Sequence, residues 1–164
     1  MRRVYGIILV FLTVCVASCG GGGGSVTTPS SSSVTFKLVT SGSLTSNLAG
    51  MSVTIRLPVG VTVATDGSGI PLASVVTPSG MTANAASIPP SFMTYAAPTG
   101  SAPGSLNFVL ASSAAPGFAT GEFATVTVSV AHGSSAPSGT IATADFKPVD
   151  VLGNTVTGLT TTIQ

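Results

Sequence analysis

Charge is scarce in this chain: five Lys and Arg, four Asp and Glu and one His among 164 residues, for a formal net charge of +1. Tryptophan is absent, and cysteine occurs only as Cys15 and Cys19. Each scarcity excludes something. Beyond residue 33 the cations are Lys37, Arg56 and Lys147, set against Asp66, Glu122, Asp145 and Asp150. Nucleic acid is therefore not an expected partner, because its recognition needs a positive footprint that releases counterions. Beyond Cys19 no cysteine is left for a Cys-x-x-Cys redox pair, a soft-metal cluster or an intrachain disulfide, so the domain must fold on its core alone. Long apolar stripes at helical spacing are missing too. Pro71, Pro78, Pro89, Pro90, Pro98, Pro103, Pro116 and Pro137 interrupt the middle and late segments, each removing an N–H donor and restricting the residue before it.

What is present begins with an export pattern. Arg2 and Arg3 precede an uncharged apolar run over residues 4–16, and the 15 residues 4–18 are fewer than the roughly 20 apolar residues a membrane-spanning helix requires. The segment closes Val16-Ala17-Ser18-Cys19-Gly20. This resembles the lipobox of bacterial lipoproteins, which implies cleavage before Cys19, lipid on its sulfur and attachment to a membrane. Cys15 fits less well, because bulky Val14 stands where a small residue belongs. Residues 1–18 are thus read as a lipoprotein signal peptide, whose removal leaves 146 of the 164 residues. Gly20 after the cysteine resembles outer-membrane sorting in a two-membrane cell, so the expected location is the cell envelope.

Residues 19–33 are read as the lipidated cysteine and a linker. Five glycines, Ser25, Pro29 and the serine run 30–33 bury little and lose much entropy on ordering. The 14 residues 20–33 reach roughly 20 Å as a random coil.

Residues 34–164 are read as one all-β domain. Val34, Phe36 and Leu38 alternate with Thr35 and Lys37, and Met51, Val53, Ile55 and Leu57 alternate with Ser52, Thr54 and Arg56. Such period-two patterns give a strand one apolar and one wet face. Pro58 marks an interruption, after which Val59, Val61 and Val63 resume the phase. Leu106, Phe108 and Leu110 form another run, as do Phe123, Val126, Val128 and Val130; residues 141–146 and 155–163 are expected to close the sheet. Turns are expected at Asp66-Gly67-Ser68-Gly69, Pro78-Ser79-Gly80 and Gly153-Asn154. The expected architecture is an antiparallel β-sandwich. Residues 79–104 carry no sustained period, and Phe92 and Tyr95 there are either core anchors or an exposed aromatic patch.

The segments 50–58, 104–110 and 121–130, with the tail 141–146 and Asp150 and Gly153 beyond it, resemble the cohesin domain and its carbohydrate-binding-module-like sandwich relatives. The glycine, aromatic, alanine and alternating aliphatic order from Gly121 to Val130 carries most of the likeness. The resemblance implies a jelly-roll of about nine strands with one sheet face that binds a dockerin-like protein. The Ser- and Thr-rich candidate face departs from that pattern, since no set of polar anchors stands out on it. Fold alone does not establish function.

Signals for chemistry are sparse. His132, in Ala131-His132-Gly133, reads as a turn residue, and no Gly-x-Ser-x-Gly nucleophile elbow accompanies it. Asp145 and Asp150 lie five apart, so a loop between them would bring the carboxylates together for acid/base work, or for calcium with Asn154; the alternative is that they cap turns. Asp66-Gly67-Ser68-Gly69 lacks the phosphate-loop pattern and reads as a turn. No catalytic residue, cofactor or metal ligand is assigned. The expected function is a noncatalytic, lipid-anchored module that binds a protein, with polysaccharide binding through Tyr95 as the alternative and hydrolysis a distant third.

Overall fold

Threonine, valine and isoleucine repeated at a period of two leave the chain little choice but extended strands, because branched side chains pack well on a half-buried pleat. A computed structural model describes residues 30–84, 86–113 and 117–164, so residues 1–18, where a signal peptide is expected, and Cys19 lie outside the described residues. Among those described, eleven strands form two antiparallel sheets. The first sheet has the order β3 (Val61–Thr62), β8 (Gly121–Ala131), β1 (Ser31–Gly42), β11 (Leu159–Ile163), β9 (Gly139–Ile141), with β4 (Val76–Pro78) also on β8. The second has the order β10 (Phe146–Asp150), β2 (Leu48–Leu57), β7 (Gly104–Ser112), β5 (Ala86–Ser87), with β6 (Met93–Ala96) also on β7.

The arrangement is a β-sandwich in general form, with eleven strands among the described residues where about nine were expected. Three boundaries differ from expectation. Ser31, Ser32 and Ser33 pair with Ala131, Val130 and Ser129, so most of the serine run assigned to the linker belongs to β1. Residues 141–146 are not one strand, because a 3-10 turn at Thr143–Asp145 separates β9 from β10. The closing strand is shorter than 155–163: Val156 instead donates its N–H to the Pro148 carbonyl, 3.0 Å away, and β11 starts at Leu159.

Two irregularities adjust which side chains face inward. The register of β1 on β8 shifts between Leu38 and Val39, so Phe123 is an extra residue and both it and Ala124 are buried. A similar shift between Val149 and Asp150 lets Leu48 and Met51, three apart on β2, both face the core. Bulges of this kind bend a strand and change its phase. The core then joins Phe36 and Leu38 of one sheet with Val53, Ile55, Leu106 and Phe108 of the other. With Leu38 fully buried in a central strand, Leu38→Ala should cost about 2–5 kcal/mol. A urea titration should show a lower midpoint at unchanged slope, whereas Thr62→Ala, on the wet face of a two-residue edge strand, should move stability by less than ~0.5 kcal/mol.

Candidate functional site

The site follows from a break in an edge strand. β10 pairs with β2 only as far as Phe146 opposite Val53. The chain before Phe146 is the 3-10 turn, so no described strand continues that ladder past Thr54, Ile55 and Arg56. A cleft of about 440 Å3 lies along this stretch of β2. Its far side is the segment Ser135, Ala136, Pro137 and Ser138, which has no regular secondary structure. Ile55, Ile141 and Ile163 contribute apolar surface, and Thr54 and Thr140 add hydroxyls.

Arg56 and Asp145 meet at this cleft. Arg56 Nε stands 3.6 Å from Asp145 Oδ2, with the arginine side chain 75% exposed and the aspartate 19% exposed. That separation is beyond a good hydrogen bond, and an exposed pair of this kind contributes at most about 1 kcal/mol. Asp145 approaches the guanidinium on its Nε side. Arg56 was not singled out from the sequence. The available signal was a cation in the outward series Ser52, Thr54, Arg56, where the other positions carry hydroxyls.

The two aspartates read together from the sequence are held apart. Phe146 to Asp150 is extended, which alone puts roughly 13 Å of strand between the Asp145 turn and Asp150. Asp145 belongs to the cleft. Asp150 organises its own hairpin: its Oδ1 accepts the N–H groups of Leu152 at 2.9 Å and Asn154 at 2.8 Å, and its Oδ2 accepts the Asn154 side-chain amide at 3.3 Å. The shared acid/base or calcium arrangement is therefore corrected to two separate roles. Among the described residues no group of three His, Cys, Asp or Glu side chains is placed to hold a metal.

Asp66 builds the same turn. Its Oδ1 accepts from the N–H groups of Ser68 at 2.8 Å and Ile70 at 2.9 Å. In both hairpins the N–H of the aspartate donates to the carbonyl of the fifth residue, and the fourth residue is a glycine, Gly69 at φ 81 or Gly153 at φ 80. A left-handed fourth residue closes this short loop, which is why both copies read Asp-x-x-Gly. The Asp150 hairpin presents Val151 and Leu152 at its tip, with Leu152 82% exposed.

The other sequence candidates have ordinary surroundings. His132 is exposed in the turn after β8, its backbone N–H donating to the Ser30 carbonyl at 3.1 Å. Tyr95 is half-buried against the core with its hydroxyl enclosed, and burial holds its phenol above the usual tyrosine range. It is a packing residue, not the open ring a sugar platform requires. Phe92 is the more exposed of the two aromatics, at 52%. On the outer face of the first sheet the hydroxyls bond one another, Thr35 with Thr127 and Ser41 with Thr160, both at 2.9 Å, while Lys37 donates to Glu122 at 2.7 Å. Among the described residues no helix is long and apolar enough to cross a membrane.

The Asp150 turn gives a pH dependence with a definite sign. Backbone hydrogen bonding, chiefly from Asn154, holds the Asp150 carboxyl below its usual range. A depressed carboxylate pKa stabilises the fold above the unfolded value and loses that contribution as pH falls through the folded one. The protection factors of the Leu152 and Asn154 amides should therefore fall as the solution is acidified through and below the ordinary aspartate range. Asp150→Asn should flatten that dependence, and an unchanged profile in this variant would show that another group controls the hairpin. Comparisons of the whole chain with protein families, with curated proteins and with solved structures gave no match to any of them.

Proposed function

We propose that this chain is a noncatalytic binding module, held at a membrane of the cell envelope by lipid on Cys19 and directed at another protein. The observation that carries this reading is the order of its parts. The first strand starts at Ser31, directly after a Gly- and Ser-rich stretch that follows the lipobox-like Val16-Ala17-Ser18-Cys19. β1 then runs 12 residues, roughly 36 Å, to the opposite end of the sandwich. An anchor, a tether and a display body follow one another along the chain.

The cohesin-like segments support a protein as partner, and the cleft at the β2 edge offers a place for it. A stable complex of this kind buries about 1,200 Å2 or more in total, far more than the cleft alone, so the neighbouring sheet face or loops would take part. Polysaccharide recognition is less well supported, because Tyr95 packs against the core.

Each buried methylene contributes about 0.8 kcal/mol, and two or more acyl chains give durable attachment where one is marginal. Intact-mass analysis of the membrane fraction should find a mature protein that starts at Cys19 and carries acyl mass. Cys19→Ser should leave unprocessed precursor or release the protein, with the circular-dichroism spectrum of the sandwich preserved. Membrane-bound protein that retains residues 1–18 and carries no lipid would overturn the reading.

A further inference from the structure

The end of the sandwich at which β1 begins is closed by three connections. Residues 58–60 join β2 to β3, residues 97–103 join β6 to β7, and residues 132–138 join β8 to β9. Their common position follows from the pairing, which sets Ser31 opposite Ala131, Val61 opposite Val130 and Leu57 opposite Gly104. None of the three carries an Asp, Glu, Lys or Arg, and His132 is their one titratable side chain. Backbone bonds tie this end together. The His132 N–H donates to the Ser30 carbonyl at 3.1 Å and the Ala131 N–H to that of Gly60 at 2.8 Å. The Val61 N–H donates to the Pro58 carbonyl at 3.0 Å and closes a turn with Val59 as its first central residue. A Cβ on Gly60 would run into the Ser134 side chain, so the first and third connections pack on each other. Val59 itself stands 48% exposed. The carboxylates are elsewhere: Glu122 opposite Val39 and Asp150 opposite Leu48 lie toward the other end, Asp66 closes its own hairpin, and Asp145 is beside Arg56.

We propose that this end rests on the lipid surface to which Cys19 is attached, with the Val59 side chain entering the boundary between headgroups and acyl chains and the Asp150 hairpin turned away from the membrane. The inference rests on the lipid-anchored reading above and adds to it an orientation and a contact. A single exposed valine is ordinary on a protein surface. The tether is what gives this one a partner. The eleven residues 20–30 reach roughly 18 Å as a coil, against roughly 36 Å for the length of β1. The end that carries Val59 is therefore held within reach of the bilayer, whereas Val151 and Leu152, though more exposed, sit at the end held away from it. Attachment also makes the contact intramolecular, so a weak apolar contribution is enough to populate it. Charge favours the same end, because an ionised side chain pressed against a bilayer loses hydration at high cost, and these connections hold no carboxylate or ammonium.

The chain has no tryptophan, so one introduced residue reports its own surroundings. Val59→Trp and, separately, Leu152→Trp are made in the full lipidated protein and reconstituted into phosphatidylcholine vesicles with and without brominated acyl chains. Bromine should quench the emission of the Val59→Trp variant and leave that of Leu152→Trp unchanged. Tryptophan itself favours interfaces, so the unaltered protein is read as well. In isotope-labelled protein on lipid nanodiscs, nitroxide-labelled headgroups should broaden the amides of Gly60, Thr99 and His132 more than that of Leu152. Val59→Asp, at an exposed turn corner, should keep the fold and lower the docked-to-undocked ratio, and with it this broadening, about tenfold. Equal effects at the two ends, stronger effects at Leu152, or unchanged broadening in Val59→Asp overturns the docking. If the protein still floats with the vesicles in that case, the lipid anchor stands; protein that does not float removes the anchor and the docking with it.

Discussion

The apolar faces of the two sheets bury chiefly against each other, closed at the ends by loop residues such as Val75, Phe118 and Val156. Among the described residues no α-helix covers them, and the ion pairs are Lys37 with Glu122 and Arg56 with Asp145, both with exposed cations. Pairs so exposed contribute little. Stability therefore rests on Leu38, Val53, Ile55, Leu106 and Phe108 meeting across the sandwich, and the placement of every other feature follows from keeping that contact continuous. The bulges opposite Leu38 and near Gly50 serve it directly, since each lets one extra side chain reach the interior.

Where the apolar alternation was unbroken, the sequence was a sound guide. Residues 51–57 and 126–130 are strands whose inward faces are those the pattern gave, because a half-buried sheet permits only one phase. Where the structure departs, the spacing already carried a warning. Ile141 and Phe146 are five apart, an odd separation that puts them on opposite faces of any straight strand, yet both are buried. The 3-10 turn between them resolves the conflict. Phe123 and Val126 are three apart, and a bulge resolves that one.

The site was less legible, for a physical reason. Arg56 and Asp145 are 89 positions apart and meet only through the pairing of β2 with the strand that follows the aspartate. Nearness along the chain instead linked Asp145 to Asp150, which an extended strand separates. The role of Asp150 was more accessible, because Asp-x-x-Gly occurs at both Asp66 and Asp150, and a repeated turn signature argues for a repeated turn.

The interruption before Phe146 also bears on self-association. Pro148 and the return of residues 154–156 cover the free side of β10, and the stretch of β2 without a strand beside it on that side runs only from past Thr54 to the strand's end at Leu57. Fibre-forming segments are typically six or seven residues long. An edge this short gives little purchase for stacking copies of the domain into an aggregate, even though the chain has almost no net charge to keep its copies apart.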